Sequence, residues 1–211
     1  MSWGCACARG WLLALVLVGG CTMQKQVRVD FTETPRDYLP RDYDGVYQLW
    51  TRHDYVAHDY VDKALEVWAT YKSWDFREAY IAHYAAIYNL SDGERNKLRQ
   101  AQLDAYRAAY EFIVTAQSAK YEWNDLEKPS SAWRVTLLDA LGHELPSQRV
   151  RVEKLPDAYE REFFPNKTPF SKTYSIRFTM PTDGEFAGVR SGELTLRFDS
   201  PIGRLEVHWQ S

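Results

Sequence analysis

Cysteine and glycine are scarce in this 211-residue chain, and it has no long apolar run. Its three cysteines, Cys5, Cys7 and Cys21, all lie within the first 21 residues, so no disulfide can stabilise the rest of the chain. The 11 glycines form no glycine-rich loop after a predicted strand, which argues against a phosphate-binding loop. The apolar run Trp11–Val18 has eight residues, whereas a membrane-spanning helix needs roughly 20.

An excess of positive charge is also missing. The chain has 26 Lys and Arg residues against 29 Asp and Glu residues, a formal net charge of −3 at pH 7. Proteins that bind nucleic acid, or that adhere electrostatically to anionic lipid, are typically basic. We therefore expect no nucleic-acid partner and no electrostatic attachment to a membrane.

Familiar catalytic motifs are absent from the sequence. There is no Gly-x-Ser-x-Gly turn, and no cysteine after residue 21 could serve as a nucleophile. His143 falls in a predicted turn and His208 on the polar side of a predicted strand, and we interpret both as surface residues. We expect no catalytic residue, no cofactor and no metal.

One repeated pattern could nevertheless hold a metal ion. His53-Asp54-Tyr55-Val56 is followed by His58-Asp59-Tyr60-Val61. Asp54, His58 and Asp62 are four residues apart, so they would share one face of a helix, and His83 could add a ligand. Zinc hydrolases instead use two histidines four residues apart with a glutamate between them. The alternative, which we favour, is a solvated acidic face.

The start of the chain has the zones of a secretory signal, with one charged residue, Arg9, before the apolar run and two glycines after it. Val18-Gly19-Gly20-Cys21 resembles the lipobox of bacterial lipoprotein precursors. The resemblance implies that residues 1–20 are a signal peptide and that the sulfur of Cys21 carries a lipid. An ordinary secretory signal and a buried helix are the alternatives.

The same resemblance implies a location in the cell envelope. Loss of Arg9 with the signal leaves 25 basic against 29 acidic residues, a net charge of −4, so the membrane would be held through the lipid on Cys21 rather than by charge. Thr22 follows the cysteine, and in lipoproteins of enteric-type bacteria an aspartate there retains the protein at the inner membrane. We therefore expect the periplasmic face of the outer membrane rather than the inner membrane.

Residues 21–45 are interpreted as a lipid-anchored tether. They contain a tandem repeat, Pro35-Arg36-Asp37-Tyr38 and Pro40-Arg41-Asp42-Tyr43, whose prolines disfavour a helix. The repeated tyrosines either form a docking strip for a partner or lie on the folded body. The alternation of Val27, Val29 and Phe31 would suit a short strand that joins a later sheet.

Residues 46–128 are predicted to form a helical bundle segment of three helices, at about 46–71, 73–88 and 91–123. Apolar residues recur there at spacings of three and four, and no proline interrupts the segment. Ser73 is a predicted N-cap. Ser91 with Glu94 fits a capping box. Twelve of the 14 tyrosines lie between Tyr38 and Tyr121, either as core or as a binding surface.

Residues 131–211 are predicted to form a C-terminal β-sandwich domain. Apolar and polar residues alternate in several short segments, which is typical of antiparallel strands that cover a core. The predicted inward faces are Tyr174, Ile176, Phe178 and Met180; Leu194, Leu196 and Phe198; and Leu205, Val207 and Trp209. The expected fold class is α+β, with an N-terminal three-helix segment followed by a small antiparallel β-sandwich.

A long predicted loop, residues 156–172, holds four aromatic residues that we interpret as a candidate interaction surface, because loops of this length are often functional: Tyr159, Phe163, Phe164 and Phe170. We expect a non-catalytic scaffold or accessory protein that binds an envelope protein partner. One alternative is a hydrolase of cell-wall glycan that uses Asp157, Glu160 or Glu162. Another is a ligand-binding sensor with a pocket between the helices and the sandwich.

Overall fold

Two antiparallel sheets and four α-helices form the part of the chain that the computed structural model describes, residues 27–58, 62–182 and 184–211. The lipobox and Cys21 lie outside these residues. The helices are α1 (Tyr43–Trp50), α2 (Trp74–Ile87), α3 (Asp92–Ala108) and α4 (Asp157–Phe163). The strands are β1 (Thr51–Ala57), β2 (Lys63–Tyr71), β3 (Ala109–Gln117), β4 (Arg134–Asp139), β5 (Glu144–Pro146), β6 (Arg149–Val152), β7 (Lys172–Thr179), β8 (Glu193–Ser200) and β9 (Gly203–Gln210).

The larger sheet has the strand order β1-β2-β3-β7-β6, and the smaller has the order β5-β4-β8-β9. β3 pairs with β7, with Phe112 opposite Ile176. Strands from both sides of Pro129 therefore belong to one sheet. None of the helices in the described residues is long and apolar enough to cross a bilayer.

The inner faces of the two sheets share one core. The predicted alternation in β7, β8 and β9 is confirmed, because the apolar residues named for these three strands are buried, except Met180, which follows β7 and is half-buried. Trp209 of β9 lies 5.3 Å from the ring of Phe112 in β3 (between centroids) and donates from Nε1 to the carbonyl of Trp50 at 2.9 Å. Burial of large aromatic side chains of this kind stabilises the fold by roughly 1.5–3 kcal/mol each.

The predicted three-helix segment is wrong, and with it the expected fold class. One short helix precedes the first strand, and the predicted helix at 46–71 is instead α1 followed by the hairpin of β1 and β2. Nearly every residue of β2 is buried, on both faces. A strand buried on both faces shows no period of two, so its apolar residues also match helical spacing.

The predicted third helix ends early for a related reason. α3 stops at Ala108, and the next nine residues form β3. Ile113, Val114 and Thr115 are consecutive β-branched residues, which favour a strand. Both predicted helix starts are confirmed: Ser73 accepts from the backbone of Phe76 at 3.0 Å, and Ser91 forms the capping box with Glu94.

The described part of the predicted tether lies on the body. Arg28 forms a single parallel bridge with Gln210, so the expected strand is reduced to one residue pair. Tyr43 is buried and donates to the carbonyl of Phe163 at 2.8 Å. The alternative in which the repeated tyrosines pack on the body is thus confirmed for Tyr38 and Tyr43.

Asp75 of α2 holds this segment in place. Its buried carboxylate accepts hydrogen bonds from the Tyr38 hydroxyl at 2.5 Å and from Trp50 Nε1 at 2.8 Å, and it pairs with Arg36 at 3.2 Å. Burial and this hydrogen bond raise the pKa of Tyr38 to about 12. The carboxylate therefore joins the segment before α1, the end of α1 and the first turn of α2.

Candidate functional site

A cavity of about 200 Å³ lies on the outer face of the larger sheet, beside α2, α3 and α4. We call it the Lys72 pocket. Its apolar and aromatic lining comes from Phe76, Tyr80, Ile113, Leu155, Tyr159 and Phe164. Its polar lining comes from Lys72, Gln102, Glu153 and Ser175.

The register of the sheet sets the floor of this pocket. Side chains alternate between the faces of a strand, so the residues of β3 that flank the core residue Phe112 point outward. Ile113 lies opposite Ser175 of β7, and Glu111 lies opposite Arg177. Lys72 sits in the short turn between the end of β2 and the start of α2, and its backbone N–H donates to the carbonyl of Glu111 at 2.9 Å.

Three cations converge on the one carboxylate of Glu111. Arg77 Nη2 donates to Oε2 at 2.7 Å, Arg177 Nη1 donates to Oε1 at 3.1 Å, and Lys72 Nζ reaches Oε2 at 3.3 Å. Arg77 is fully buried and also donates to Gln102 Oε1 at 2.5 Å and to the carbonyl of Lys72 at 2.9 Å. The cluster consequently has more positive than negative charge.

The pKa values in the cluster follow from burial and from these charges. Burial, with the neighbouring charge of Arg77, lowers the pKa of Lys72 to about 8, although Glu111 and Glu153 oppose the shift. Lys72 is thus still mostly protonated at pH 7. Burial alone would raise the pKa of Glu111, but Lys72 and Arg77 outweigh it and hold that pKa below its usual value.

The wall of the pocket continues into a row of tyrosines along α2. The hydroxyls of Tyr80 and Tyr159 lie 2.8 Å apart, and burial raises the pKa of both. Tyr84 lies 5.5 Å from Tyr80 and 4.4 Å from the exposed Tyr88, measured between ring centroids. The helical spacing of four residues places these rings on one face, so aromatic surface extends from the pocket to solvent.

The four aromatic residues predicted from the sequence as an interaction surface do not lie together in the structure. The first part of its loop folds as α4, and Tyr159 and Phe164 line the Lys72 pocket. Phe163 is 1% exposed and packs in the core against Tyr80, whereas Phe170 is 82% exposed. The residues Lys72, Arg77 and Glu111 were not identified from the sequence. A lone glutamate inside the apolar segment Ala109–Gln117 is the one signal that could have indicated them.

The carboxylates of the hydrolase alternative have separate basic partners. Asp157 pairs with Arg161 at 2.6 Å, Glu162 with His83 at 2.8 Å, and Glu160 with Lys167. Glu160 is 1% exposed. Glycoside hydrolysis needs two carboxyl groups that face a bound sugar from opposite sides, and a carboxylate so deeply buried does not face one.

The residues proposed to hold a metal ion at helical spacing do not lie on a helix. Asp54 lies in β1, and the backbone of His58 bonds to the carbonyl of Asp62 across the turn between β1 and β2. A helical face shared by these residues therefore does not exist. Within the described ranges, no group of three or more His, Cys, Asp or Glu residues is placed to hold a metal ion.

Two larger hollows are less suited to bind a ligand, because polar groups in them are already hydrogen-bonded within the protein. In the hollow of about 600 Å³ beside β1 and β9, Arg52 donates to the carbonyls of His208 and Leu49 at 2.8 Å and is thereby committed to the backbone. In the hollow of about 510 Å³ beside α1 and α4, Asn166 donates to the Tyr47 hydroxyl at 3.0 Å. These polar groups already have partners within the fold.

Glu111→Gln should destabilise the protein by about 3–5 kcal/mol, because it leaves three clustered cations without their counter-charge. Urea unfolding at pH 7 measures this loss, and Glu122→Gln, at an exposed position, should change little. Since the folded-state pKa of Glu111 is lowered, its contribution is present above the unfolded-state pKa of about 4.3 and is lost as pH falls through the folded-state value.

The difference in the free energy of unfolding between Glu111→Gln and wild type should therefore become smaller below about pH 4. Adding Lys72→Met to Glu111→Gln should recover part of the loss, because one excess cation is removed. Equal stability of Glu111→Gln and wild type at pH 7 would contradict the role given to the cluster.

No family model matches the chain, and no curated protein matches it. Among solved structures, the crystal structure of a protein of unknown function from Burkholderia pseudomallei is similar to this chain. The TM-score is 0.41 and the sequence identity 14%, over 84% of this chain and 93% of that chain. A likeness at that TM-score carries no argument about fold or function, so the functional interpretation depends on the residues of this chain.

Proposed function

We propose that this chain is a lipid-anchored protein of the bacterial cell envelope that acts by binding rather than by catalysis. Its lipid attachment site is Cys21, and its ligand site is the Lys72 pocket. The observation that carries the ligand site is a cavity with aromatic walls and a mostly buried ammonium group, the combination of apolar surface and few polar groups that ligand sites share. The proposal combines the lipobox resemblance with the ligand-binding alternative.

The pocket favours a small molecule over a macromolecule. At about 200 Å³ it is smaller than the roughly 300–1,000 Å³ of drug-sized ligand sites, so it would take a small ligand or one end of a larger one. Tyr80 and Tyr159 hold each other through their hydroxyls. The wall is thereby preorganised, which reduces the entropy lost on binding.

Cys21→Ser should abolish membrane attachment, because the hydroxyl cannot receive the thioether-linked lipid. In the producing bacterium, wild type should fractionate with membranes, begin at Cys21 and carry added acyl mass by intact mass spectrometry. The variant should keep an unmodified serine and leave the membrane fraction. Wild type without acyl mass would refute the anchor and, with it, the proposed location at the periplasmic face of the outer membrane.

Ser175→Phe should empty the pocket of ligand, because the new ring projects from the floor into a cavity of about 200 Å³. Native mass spectrometry of protein purified from its own cells should show a bound small molecule on wild type and none on Ser175→Phe. Thr179→Phe, on the same face of β7 but outside the pocket lining, is the matched control and should retain the ligand. A ligand kept by Ser175→Phe would place binding elsewhere.

The second candidate is an accessory role in a membrane complex, through an envelope protein partner. Tyr121 and Phe170 are 79% and 82% exposed, and Lys172, two residues after Phe170, contacts the Tyr121 ring at 4.8 Å. Large exposed aromatics of this kind often anchor protein interfaces.

A double variant, Tyr121→Ser with Phe170→Ser, should lose such a partner. The measurement is chemical crosslinking in cells followed by purification of the anchored protein. Leu141→Ser removes a side chain that is 71% exposed and serves as the control. An unchanged set of crosslinked proteins in the double variant would remove the argument for this surface.

A further inference from the structure

Lys72 has the weakest partner of the three cations around Glu111. Glu111 Oε2 already accepts from Arg77 at 2.7 Å, and Lys72 reaches the same oxygen only at 3.3 Å. An ammonium group has three donors, and this contact with Glu111 is the one side-chain hydrogen bond that the described residues give to Lys72 Nζ. The Lys72 side chain is only 23% exposed, so solvent gives the remaining donors little compensation.

The charged groups in and behind the pocket include more cations than carboxylates. Lys72, Arg77 and Arg177 face Glu111, and Glu153 is the other carboxylate of the lining. Of these five groups Lys72 and Glu153 line the pocket itself, and the exposed Arg151 of β6 lies opposite Ser175 on the same face, so the surroundings favour an anionic ligand. Among the described residues that line the pocket, Lys72 is the one cation and Glu153 opposes an anion, which favours a ligand with a single negative charge over a phosphate monoester with about −1.5 to −2 at pH 7.

The remaining lining selects the body of the ligand. Phe76, Ile113 and Phe164 are buried or nearly so, and with Tyr80 and Tyr159 they present rings and aliphatic carbons. Aromatic side chains of this kind favour planar or aliphatic groups that can stack on them. The small volume restricts such a ligand to one ring or a short chain.

We propose that the Lys72 pocket binds a small monocarboxylate with an aromatic or short aliphatic body, and that the carboxylate pairs with the ammonium group of Lys72. This inference rests on the proposed function of the pocket as a ligand site and specifies the chemistry of that ligand. Tyr80, Tyr159 and Phe76 would contact the body of the ligand, and Glu153 would weaken binding by repulsion.

Three probes of similar size test the proposal: 3-phenylpropionate, its neutral amide 3-phenylpropanamide, and the cation 3-phenylpropylamine. Isothermal titration at pH 7 uses the full chain carrying Cys21→Ser, so that no detergent competes for the probes. We expect the carboxylate to bind about tenfold or more tightly than the amide, as a charge-assisted hydrogen bond implies. The amine should bind more weakly than either.

Variants assign the effect to Lys72. Lys72→Met should lower the affinity for 3-phenylpropionate about tenfold or more and leave the affinity for the amide unchanged. Lys97→Met, at an exposed position of α3, should change neither affinity. Glu153→Gln should raise the affinity for 3-phenylpropionate a few-fold, because it removes the repulsion between two carboxylates. Thermal unfolding checks that each variant folds, and if Lys72→Met does not fold, the direction of the Glu153→Gln effect decides.

The outcomes separate this inference from the function on which it rests. Equal affinity for acid and amide, stronger binding of the amine, or an unchanged affinity in Lys72→Met would overturn the carboxylate assignment. Failure of all three probes to bind would overturn it for this class of ligand. The proposed ligand site would survive each of these results if wild type still carries a co-purified small molecule that Ser175→Phe lacks.

Discussion

The buried carboxylate of Asp75 is the interaction on which the arrangement of the helical face depends. It receives the indole of Trp50, the hydroxyl of Tyr38 and the guanidinium of Arg36, and it lies in the first turn of α2, where the helix dipole favours negative charge. Hydrogen bonds to a charged group contribute roughly 1.5–3 kcal/mol each. Because α2 supplies Phe76 and Tyr80 to the Lys72 pocket, the position of this helix also determines the shape of the pocket.

Asp75 and Glu111 use buried charge in different ways. Asp75 collects hydrogen bonds from two neutral side chains and one arginine, so its charge is used to join segments of the chain. Glu111 is shared among three cations, and Lys72 is left with the longest contact. A structural cluster would be expected to balance its charges, since unpaired buried charge is costly. The imbalance at Glu111 is therefore the physical feature on which the proposed ligand site depends.

Helix caps and strand alternation were predicted correctly from neighbouring residues. The prediction failed where burial depends on parts of the chain that are distant in sequence. Ser73 and Ser91 marked true helix starts, and the alternation around Ile176, Leu196 and Val207 marked true strand faces. The hairpin of β1 and β2 was missed because β2 is buried on both faces. The pocket was missed since Lys72 and Glu111 are 39 residues apart and meet only when β2 pairs with β3.

The docking of the segment that follows the proposed anchor limits how far the body can rise from a membrane. Val29 is buried, and its backbone N–H donates to the carbonyl of Gln210 at 2.8 Å. Between Cys21 and Arg28, which bridges to Gln210, only six residues remain, and the seven steps span about 23 Å even when fully extended. A 25-residue free tether would span about 80 Å. The proposed lipid-anchored body would thus stay close to the bilayer, and its partner or ligand would have to approach the membrane surface to meet it.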